Sequence, residues 1–512
     1  MSYNLGLNVV EVDGKATPSI QPAPTSVAAF VIRAQRGIAN AVYRVSNWSQ
    51  FTEHFGSYID GAYGAYAVCG FFDNGGAVAY VTRVLDTTAA TSATRTFDDG
   101  GSAALTVTAG YRGQEDRGAW GKGIDGTTDG IAIRIAPNTE VTGAYDLFVR
   151  YNGNIVEPWD KLNHDPRPGY DERHPAPVIN DEFTGSRYIT VAENATANPG
   201  STDGTTDADT VGFVALADGA DDSLSGAALH KALREALPRF DVHRVQLVCC
   251  PESHDTTFVN AALTYCANRG DCMFVGHTNE GDNAAAAKAY GKDFQRNKIY
   301  GALYFPWIRV SDPIGTQKWI PPTGHVMGVY ARTERERGIW KAPAGNAARV
   351  NNALDVRYHI TDADHTDLVK NGSVNAVRFI PGQGIVVDSS RTLSTNVLWL
   401  YVNVRLLFNF VKSSLMDGLR WVVQEPNDDA LWNKVKYNSV TPFLMGLWRR
   451  GAFGPGAPDD VFTIKVDAEN NRPEDIQQGR LNVEVYFYPS RPAETIIITV
   501  GQQEGGATNS ES

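Results

Sequence analysis

The chain opens on an apolar run that has no local partner. Leu7–Val12 (LNVVEV) reads as a strand with Leu7, Val9, Val10 and Val12 as its apolar positions. The connector that follows, DGKATPSIQPAP, is broken by Pro and Gly and cannot close a tight hairpin. Residues 26–85 then read as a compact α/β unit. Ser26–Ile32 is a strand, and Trp48, Phe51 and Phe55 recur at helical spacing behind the cap residue Asn47. A second helix is expected over about 62–73, stopped by Asn74-Gly75-Gly76, with a strand over Ala77–Leu85. From Asp86 to about Thr210 the runs are short and alternating (Ala104–Thr108, Ile131–Ile135, Leu147–Tyr151) and the connectors long and polar. That pattern predicts an all-β module inserted into a larger fold. Strand and helix then alternate, beginning with a strand over Val211–Leu216, a helix over Gly226–Leu237 and a buried strand over Val245–Cys250, and continuing to about 370. Such alternation predicts a largely parallel sheet with helices on both faces.

Residues 371–490 form a last unit. Tyr401–Asp417 places Val404, Leu407, Phe408, Val411 and Leu415 on one helical face, ended by Gly418. A strand is expected over Arg420–Gln424, then a helix carrying Leu431, Trp432 and Val435 that Pro442 splits. Leu481–Tyr488 alternates strictly, with Leu481, Val483, Val485 and Phe487 on one face. The chain closes as it opened. Thr495–Val500 (TIIITV), with Ile496, Ile497, Ile498 and Val500, is a β-branched run followed only by a polar tail. Both terminal strands would expose unpaired N–H and C=O groups if left alone, so each must pair with something distant.

Length and charge narrow the class. The 512 residues suggest about three folded bodies, and 42% hydrophobic with 20% charged residues is the balance of a soluble globular chain. A net charge of −12 argues against a broad nucleic-acid surface. The most apolar stretch, Val397–Val411, is interrupted by Asn403, Arg405 and Asn409 and is too short to span a bilayer, so no membrane insertion is expected. The start lacks the basic and apolar regions of a signal peptide, which points to assembly in the cytoplasm. Five cysteines without a C-x-x-C pair read as reduced, buried thiols.

Searching for chemistry turns up little. Gly118-Ala-Trp-Gly-Lys-Gly lacks the Ser or Thr of a phosphate loop and reads as a turn, and the Asp-rich TDGTTDAD does not fit calcium-ligand spacing. No zinc spacing, H-E-x-x-H or G-x-S-x-G occurs, so no metal, cofactor or catalytic residue is assigned. The nearest approach to a catalytic motif is His325 in TGHVMGVYA, at the start of a helix in an α/β domain. A serine hydrolase would need a downstream Ser in a Gly-rich setting, which none of the downstream serines has. The charged run ARTERERG (331–338) reads as a solvated helix face or as a source of salt bridges to a neighbouring copy.

Taken together, several segments resemble contractile tail sheath proteins of phages and phage-like injection systems. They are PTSVAAFV (24–31), GFFDNGGAVAYVTRV (70–84), GAWG (118–121), FVALADGADD (213–222), YFPWIRVSDP (304–313), PPTGHVMGVYARTERERGIWKAPAG (321–345), PGQGIVVDSSRTL (381–393), YVNVRLLFNFVKSSL (401–415), WVVQEPND (421–428) and GRLNVEVYFYPSRPAE (479–494). The chain departs from the family in two places. The 86–210 insertion matches only at GAWG, and the spacing between Trp432 and Phe443 is one residue longer.

The resemblance implies a subtilisin-like α/β domain without catalytic residues (26–85 and 211–370), an inserted β-sandwich (86–210) and a C-terminal α+β domain (371–490) facing an inner tube. It also implies terminal arms (1–25 and 491–512) that exchange strands between subunits, with Leu481–Tyr488 as the acceptor. The expected partners are further copies in hexameric rings, an inner tube protein, and baseplate and cap proteins. The particle would be a phage tail or a phage-like device released by lysis. Lys434, Lys436, Arg449 and Arg450, flanking the apolar face of the helices at 428–450, are the expected tube-facing groups. A baseplate or cap protein on the same fold, and a hydrolase built around His325, are the alternatives.

Overall fold

A computed structural model describes residues 19–122, 130–168, 171–205 and 208–494. Its largest element is an eight-stranded sheet in the order Gly384–Val387, Val374–Ile380, Gly301–Phe305, Met273–His277, Leu247–Cys249, Ala28–Ile32, Ala79–Arg83 and Val42–Val45. The six inner strands are parallel, and the strand at each edge is antiparallel to its neighbour. Ala28–Ile32, the first strand described, lies inside the sheet between Leu247–Cys249 and Ala79–Arg83. Segments far apart in the chain therefore build one sheet. Its side chains alternate between two cores: Ala28, Phe30 and Ile32 enter one, and Val27, Ala29 and Val31 enter the other. A strand covered on both faces needs the uninterrupted apolar run seen here.

Helices cover both faces, as the alternation of elements predicted. The cap expected at Asn47 forms, its side chain accepting the Gln50 N–H at the head of Trp48–Phe55; Asp255 and Asn283 likewise cap Thr256–Arg269 and Ala284–Asp293, accepting the Phe258 and Ala286 N–H groups. On the other core's side, Gly64–Asp73 and Thr323–Arg337 touch through glycines. A Cβ on Gly324 would sit 2.1 Å from the Ala67 carbonyl oxygen, so no larger residue fits without separating the helices.

Residues 91–220 form two antiparallel sheets around a third core. One sheet runs Ile189–Glu193, Ala103–Tyr111, Thr94–Asp98, and the other runs Val214–Ala215, Ile131–Pro137, Tyr145–Tyr151, Asn154–Leu162. Leu105, Val107, Ile133, Leu147 and Ile189 meet between them. The strand expected over Val211–Leu216 forms at Val214–Ala215, but it pairs with Ile133 and Ala132 in this inserted module and does not join the large sheet. Its short apolar run fits a half-covered edge, and Thr94 and Ala217 exchange backbone hydrogen bonds that tie the following residues to the module's entry. The Asp86 N–H donates to the Asp222 carboxylate at 2.7 Å, closing the neck where the chain leaves and returns.

The module is joined to the sheet by a buried ion pair. Arg83, at the end of its strand, reaches Asp116 at 3.1 Å, and the two side chains are 2% and 3% exposed. Arg83 also donates to the Gly37 and Arg117 carbonyls, while both Asp116 oxygens accept the Gly37 N–H. Beside it, the Arg36 guanidinium lies 5.1–5.8 Å from the ring centroids of Trp120, Tyr151 and Tyr188. Trp120 belongs to the GAWG segment (118–121), which lies at this joint.

The C-terminal unit is built on Val402–Gly418, which packs against the core of the large sheet. The strand expected over Arg420–Gln424 is instead a tight turn, Arg420–Val422. Here the Val422 N–H bonds the Leu419 carbonyl and the Val423 N–H the Arg420 carbonyl, so the backbone is satisfied locally and there is no ladder to join. Pro442 falls where expected but breaks less than expected. Asp429–Asn433 passes into a wide π-helical stretch, Lys434–Val440, and then into Thr441–Arg449 with Pro442 in its first turn. The Thr441 N–H bonds the Lys436 carbonyl, five residues back. The wide turn lets the ring of Pro442, which has no N–H, enter the helix without a clash.

Replacing Asp116 by Ala leaves the buried Arg83 without its paired carboxylate, with only backbone carbonyls, those of Gly37 and Arg117 among them, to accept from it. Urea unfolding is expected to show a loss of about 3–5 kcal/mol; a loss below about 1 kcal/mol would show that the pair does not secure the joint.

Candidate assembly surfaces

Of the sequence-predicted surface residues, the strand around 481–488 is the most completely placed. It forms at Glu484–Phe487 and pairs antiparallel with Phe462–Lys465, Ile464 facing Val485 and Phe462 facing Phe487. Leu481, Val483, Val485 and Phe487 all pack on the core, as their alternation predicted, although Leu481 and Val483 precede the paired residues. Phe487 stacks on Phe408 at 4.1 Å and lies 5.2 Å from Phe453. Tyr486, on the opposite face, is 62% exposed. The sheet has two strands, so among the described residues each strand has one paired edge and one open edge. Exposed edges of this kind accept further strands.

The strands expected over Leu7–Val12 (Leu7, Val9, Val10, Val12) and Thr495–Val500 (Ile496, Ile497, Ile498, Val500) lie outside the described residues. Residues 19–25 and 489–494 of the connectors leading to them are described. On the N-terminal side Ile20 is buried against Gly418, the Ala23 N–H donates to the Ser414 hydroxyl at 3.0 Å, and the Ser26 hydroxyl donates to Glu334. On the C-terminal side the Ser490 N–H bonds the Ala452 carbonyl, the Asn403 amide bonds the Ser490 carbonyl, and Glu494 pairs with Arg391. These anchors carried no sequence signal, since each matches an isolated residue to a partner tens to hundreds of positions away.

The charged run 331–338 is occupied within the subunit. Arg332 donates to the Asn74 and Arg349 carbonyls and Arg335 to the Gly75 carbonyl, at the C-terminal end of Gly64–Asp73 where cations complement the helix dipole. Glu334 holds the base of the N-terminal connector.

The four basic residues expected to face the tube do not form one patch. Lys434 and Arg449 are exposed at opposite ends of the 429–449 helical segment, and Lys436 lies 5.6 Å from the Tyr437 ring. Arg450 covers the Trp340 ring at 5.0 Å and lines a cavity of about 340 Å³ with Pro22, Ala23 and Glu334, so it faces the central domain. Leu431, Val435 and Leu447 are buried beneath the segment, and Phe443 is partly covered.

His325 lies against Gly70, where a Cβ would come within 2.2 Å of its ring, and is 3% exposed. The cavity it lines contains Tyr58, Cys69, Asp73 and Ser311 and none of the downstream serines. Burial lowers its pKa to about 4 against the pull of Asp73. The carboxyl end of the parallel strands, where α/β folds place ligands, is filled by the chain itself. Glu252, after Leu247–Cys249, accepts the N–H groups of Arg33, Tyr63 and Gly64, and so occupies the head of the Gly64–Asp73 helix. Desolvation raises its pKa to about 7 despite those N–H groups. Nearby His277, 1% exposed, is lowered to about 3 by burial and by His254. Cys249, Cys250, Cys266 and Cys272 are buried free thiols, and burial raises Cys249 to about 12. No described helix is long and apolar enough to cross a membrane.

Two family profiles match end to end. The phage tail sheath protein central domain covers residues 226–393 and the phage tail sheath C-terminal domain covers 394–503, together more than half of the chain. The chain belongs to the phage tail sheath protein family. A tail sheath protein of Salmonella phage ViI is 25% identical over 214 residues, a match that spans 41% of this chain and 33% of that relative's length. Among solved structures, the helical sheath of the anti-feeding prophage in its contracted state matches with a TM-score of 0.58 at 18% identity, covering 98% of this chain and 100% of that one. A chain of the anti-feeding prophage baseplate, 6-fold symmetrised, matches with a TM-score of 0.56 at 19% identity over 98% of this chain and 100% of that one. The sheath fold thus extends over the whole described chain, including the insertion.

Two of the buried histidines of this sheath protein, His325 and His277, give its stability a pH dependence. Their folded pKa values lie below the ordinary value of 6.5, so their contribution is complete above pH 6.5 and is lost as pH falls toward 4 for His325 and 3 for His277. Glu252 acts in the opposite sense, losing its contribution as pH rises through about 7. Comparing His325→Gln and His277→Gln with the parent isolates the histidines. Each variant should flatten the fall in unfolding free energy between pH 6.5 and 4.5 by roughly 2–3 kcal/mol. An unchanged slope would show that these rings titrate alike in the folded and unfolded chain.

Proposed function

We propose that the chain is the structural subunit of a contractile helical sheath, built in hexameric rings around an inner tube and contracting to drive that tube through a target envelope. The observation that carries the proposal is the two-stranded sheet Phe462–Lys465/Glu484–Phe487, open at its edges, in a chain of the tail sheath family. Leu7–Val12 and Thr495–Val500 are the strands offered to the corresponding edges of neighbouring copies. Each added backbone hydrogen bond is worth roughly 1 kcal/mol net, so one arm contributes a few kcal/mol before ordering costs, repeated at every subunit. Contraction then draws on new contacts between subunit bodies while the exchanged strands keep neighbours connected. The baseplate chain among the structural neighbours is consistent with a baseplate and a terminal cap bounding the sheath, assembled in the cytoplasm and released by lysis.

Deleting 1–14 or 495–512 should abolish tubes in negative-stain images of the purified chain; tubes as abundant as those of the full chain would remove strand exchange from the proposal. For the tube contact, Lys434 and Arg449 are the better placed of the four basic residues, since Arg450 is engaged with Trp340. The double variant Lys434→Glu/Arg449→Glu should lower sheath recovery on an acidic tube at least fivefold in co-sedimentation, an effect that 0.5 M salt mimics in the parent. Equal recovery would place the tube contact elsewhere.

A further inference from the structure

We infer that Arg391 is the positioning residue of the C-terminal arm: it clasps Glu494 and so turns residues 491–494 into a releasable strap that sets how far the arm can reach. The inference rests on the strand-exchange reading above. The clasp is a fork-to-fork ion pair, Arg391 Nε to Glu494 Oε1 at 2.8 Å and Nη2 to Oε2 at 2.5 Å, with Arg391 only 13% exposed. Such paired, parallel hydrogen bonds fix orientation as well as distance. Arg391 is itself held, its N–H donating to the Asn375 side chain at 2.6 Å beside the large sheet. Partial burial pushes the Glu494 carboxyl up, but hydrogen bonds from Arg391 and Tyr401 outweigh it and hold the group below the usual carboxylate range.

The other end of the strap is fixed independently. Ser490 is bonded through its N–H to Ala452 and through its carbonyl to Asn403. Between the two anchors Arg491, Pro492 and Ala493 make no hydrogen bond to the body among the described residues, and the chain borders a polar cavity of about 1040 Å³ lined by His365, Asp388, Ser389 and Lys341. The Arg491 guanidinium lies 5.7 Å from the Tyr488 ring and Pro492 is half-buried, so the strap is held chiefly at its two ends. With the clasp closed, the free arm begins after Glu494. With it open, the arm begins after Ser490 and gains four residues, about 13–14 Å of extended reach. A shorter tether concentrates the arm at one neighbour distance, and a longer one serves a wider range, as effective concentration depends on tether length. The pair therefore selects between two arm reaches without altering the strand that is exchanged.

The test uses the full chain with Arg391→Glu, Glu494→Arg and the double exchange, together with the 495–512 deletion. The readouts are the protein concentration at which tubes sediment and amide hydrogen exchange of the 490–494 segment. Each single reversal should raise the assembly concentration about tenfold, the factor that 1.4 kcal/mol represents, and speed exchange in the strap. The double exchange should return both to within about twofold of the parent. Glu494→Gln, at a surface position that cannot disturb folding, should fall between. If the deletion abolishes tubes but the single variants assemble like the parent, the clasp is wrong and strand exchange stands. If the single variants assemble poorly and the exchange does not restore them, the two residues do not act as a pair and the clasp is again wrong. If the deletion leaves tubes intact, strand exchange fails, and the clasp with it.

Discussion

The structure depends on one strand being buried on both faces. Ala28–Ile32 is encoded near the start of the chain, yet it lies inside the large sheet, with parallel neighbours from 79–83 and 247–249. A parallel strand cannot be reached by a hairpin; each neighbour must be delivered by a crossover. The crossover from Ala28–Ile32 to Ala79–Arg83 carries two helices. The one from Ala79–Arg83 to Leu247–Cys249 carries the whole inserted β module before its helix. The insertion thus occupies a connection the fold already required, and its size does not disturb the register of the sheet.

That placement also determines where the two ends of the described chain emerge. The N-terminal connector runs along Val402–Gly418, with Ile20 against Gly418 and Ala23 on Ser414, before its strand enters the sheet. The C-terminal connector leaves past Asn403 on the same helix and is held at Glu494 by Arg391. One helix therefore serves as the bracket for both ends, and it packs on its other side against the aromatic group that supports the open strand pair. Phe408 of this helix stacks on Phe487 of that strand pair. The connector bases and the open strand pair are therefore parts of a single packed unit.

Polar residues do the work at the joints. Arg83 and Asp116, nearly inaccessible to solvent, would be costly apart and are stable only while the insertion and the sheet keep their relative position. Glu252 occupies the helix end where an α/β enzyme would receive an anion, so the crevice is closed by a side chain of the chain itself. The wide turn at Lys434–Val440 shows the same economy in backbone form: the Thr441 N–H closes a five-residue step on the Lys436 carbonyl, and Pro442, which has no N–H, follows in the first turn of the next helix.

Local pattern alone determined most of the elements. The alternation at 481–487, the caps at Asn47, Asp255 and Asn283, the all-β character of the insertion and the strand–helix rhythm beyond it are short-range signals, written in side chains a few positions apart, and the structure has them. Where the reading erred, the local signal was ambiguous. A short apolar run such as 420–424 is a strand only if a ladder exists to receive it, and 214–215 joins whichever sheet has a free edge nearby. The apolar runs at the two ends stand out in the sequence because an unpaired strand is a physical problem visible in one dimension; they lie outside the described residues. Only the tertiary structure decided which distant polar groups meet: Arg83 with Asp116, Arg391 with Glu494, Arg450 with Trp340. These pairings depend on loop closure over tens to hundreds of residues, and no periodicity in the chain records them.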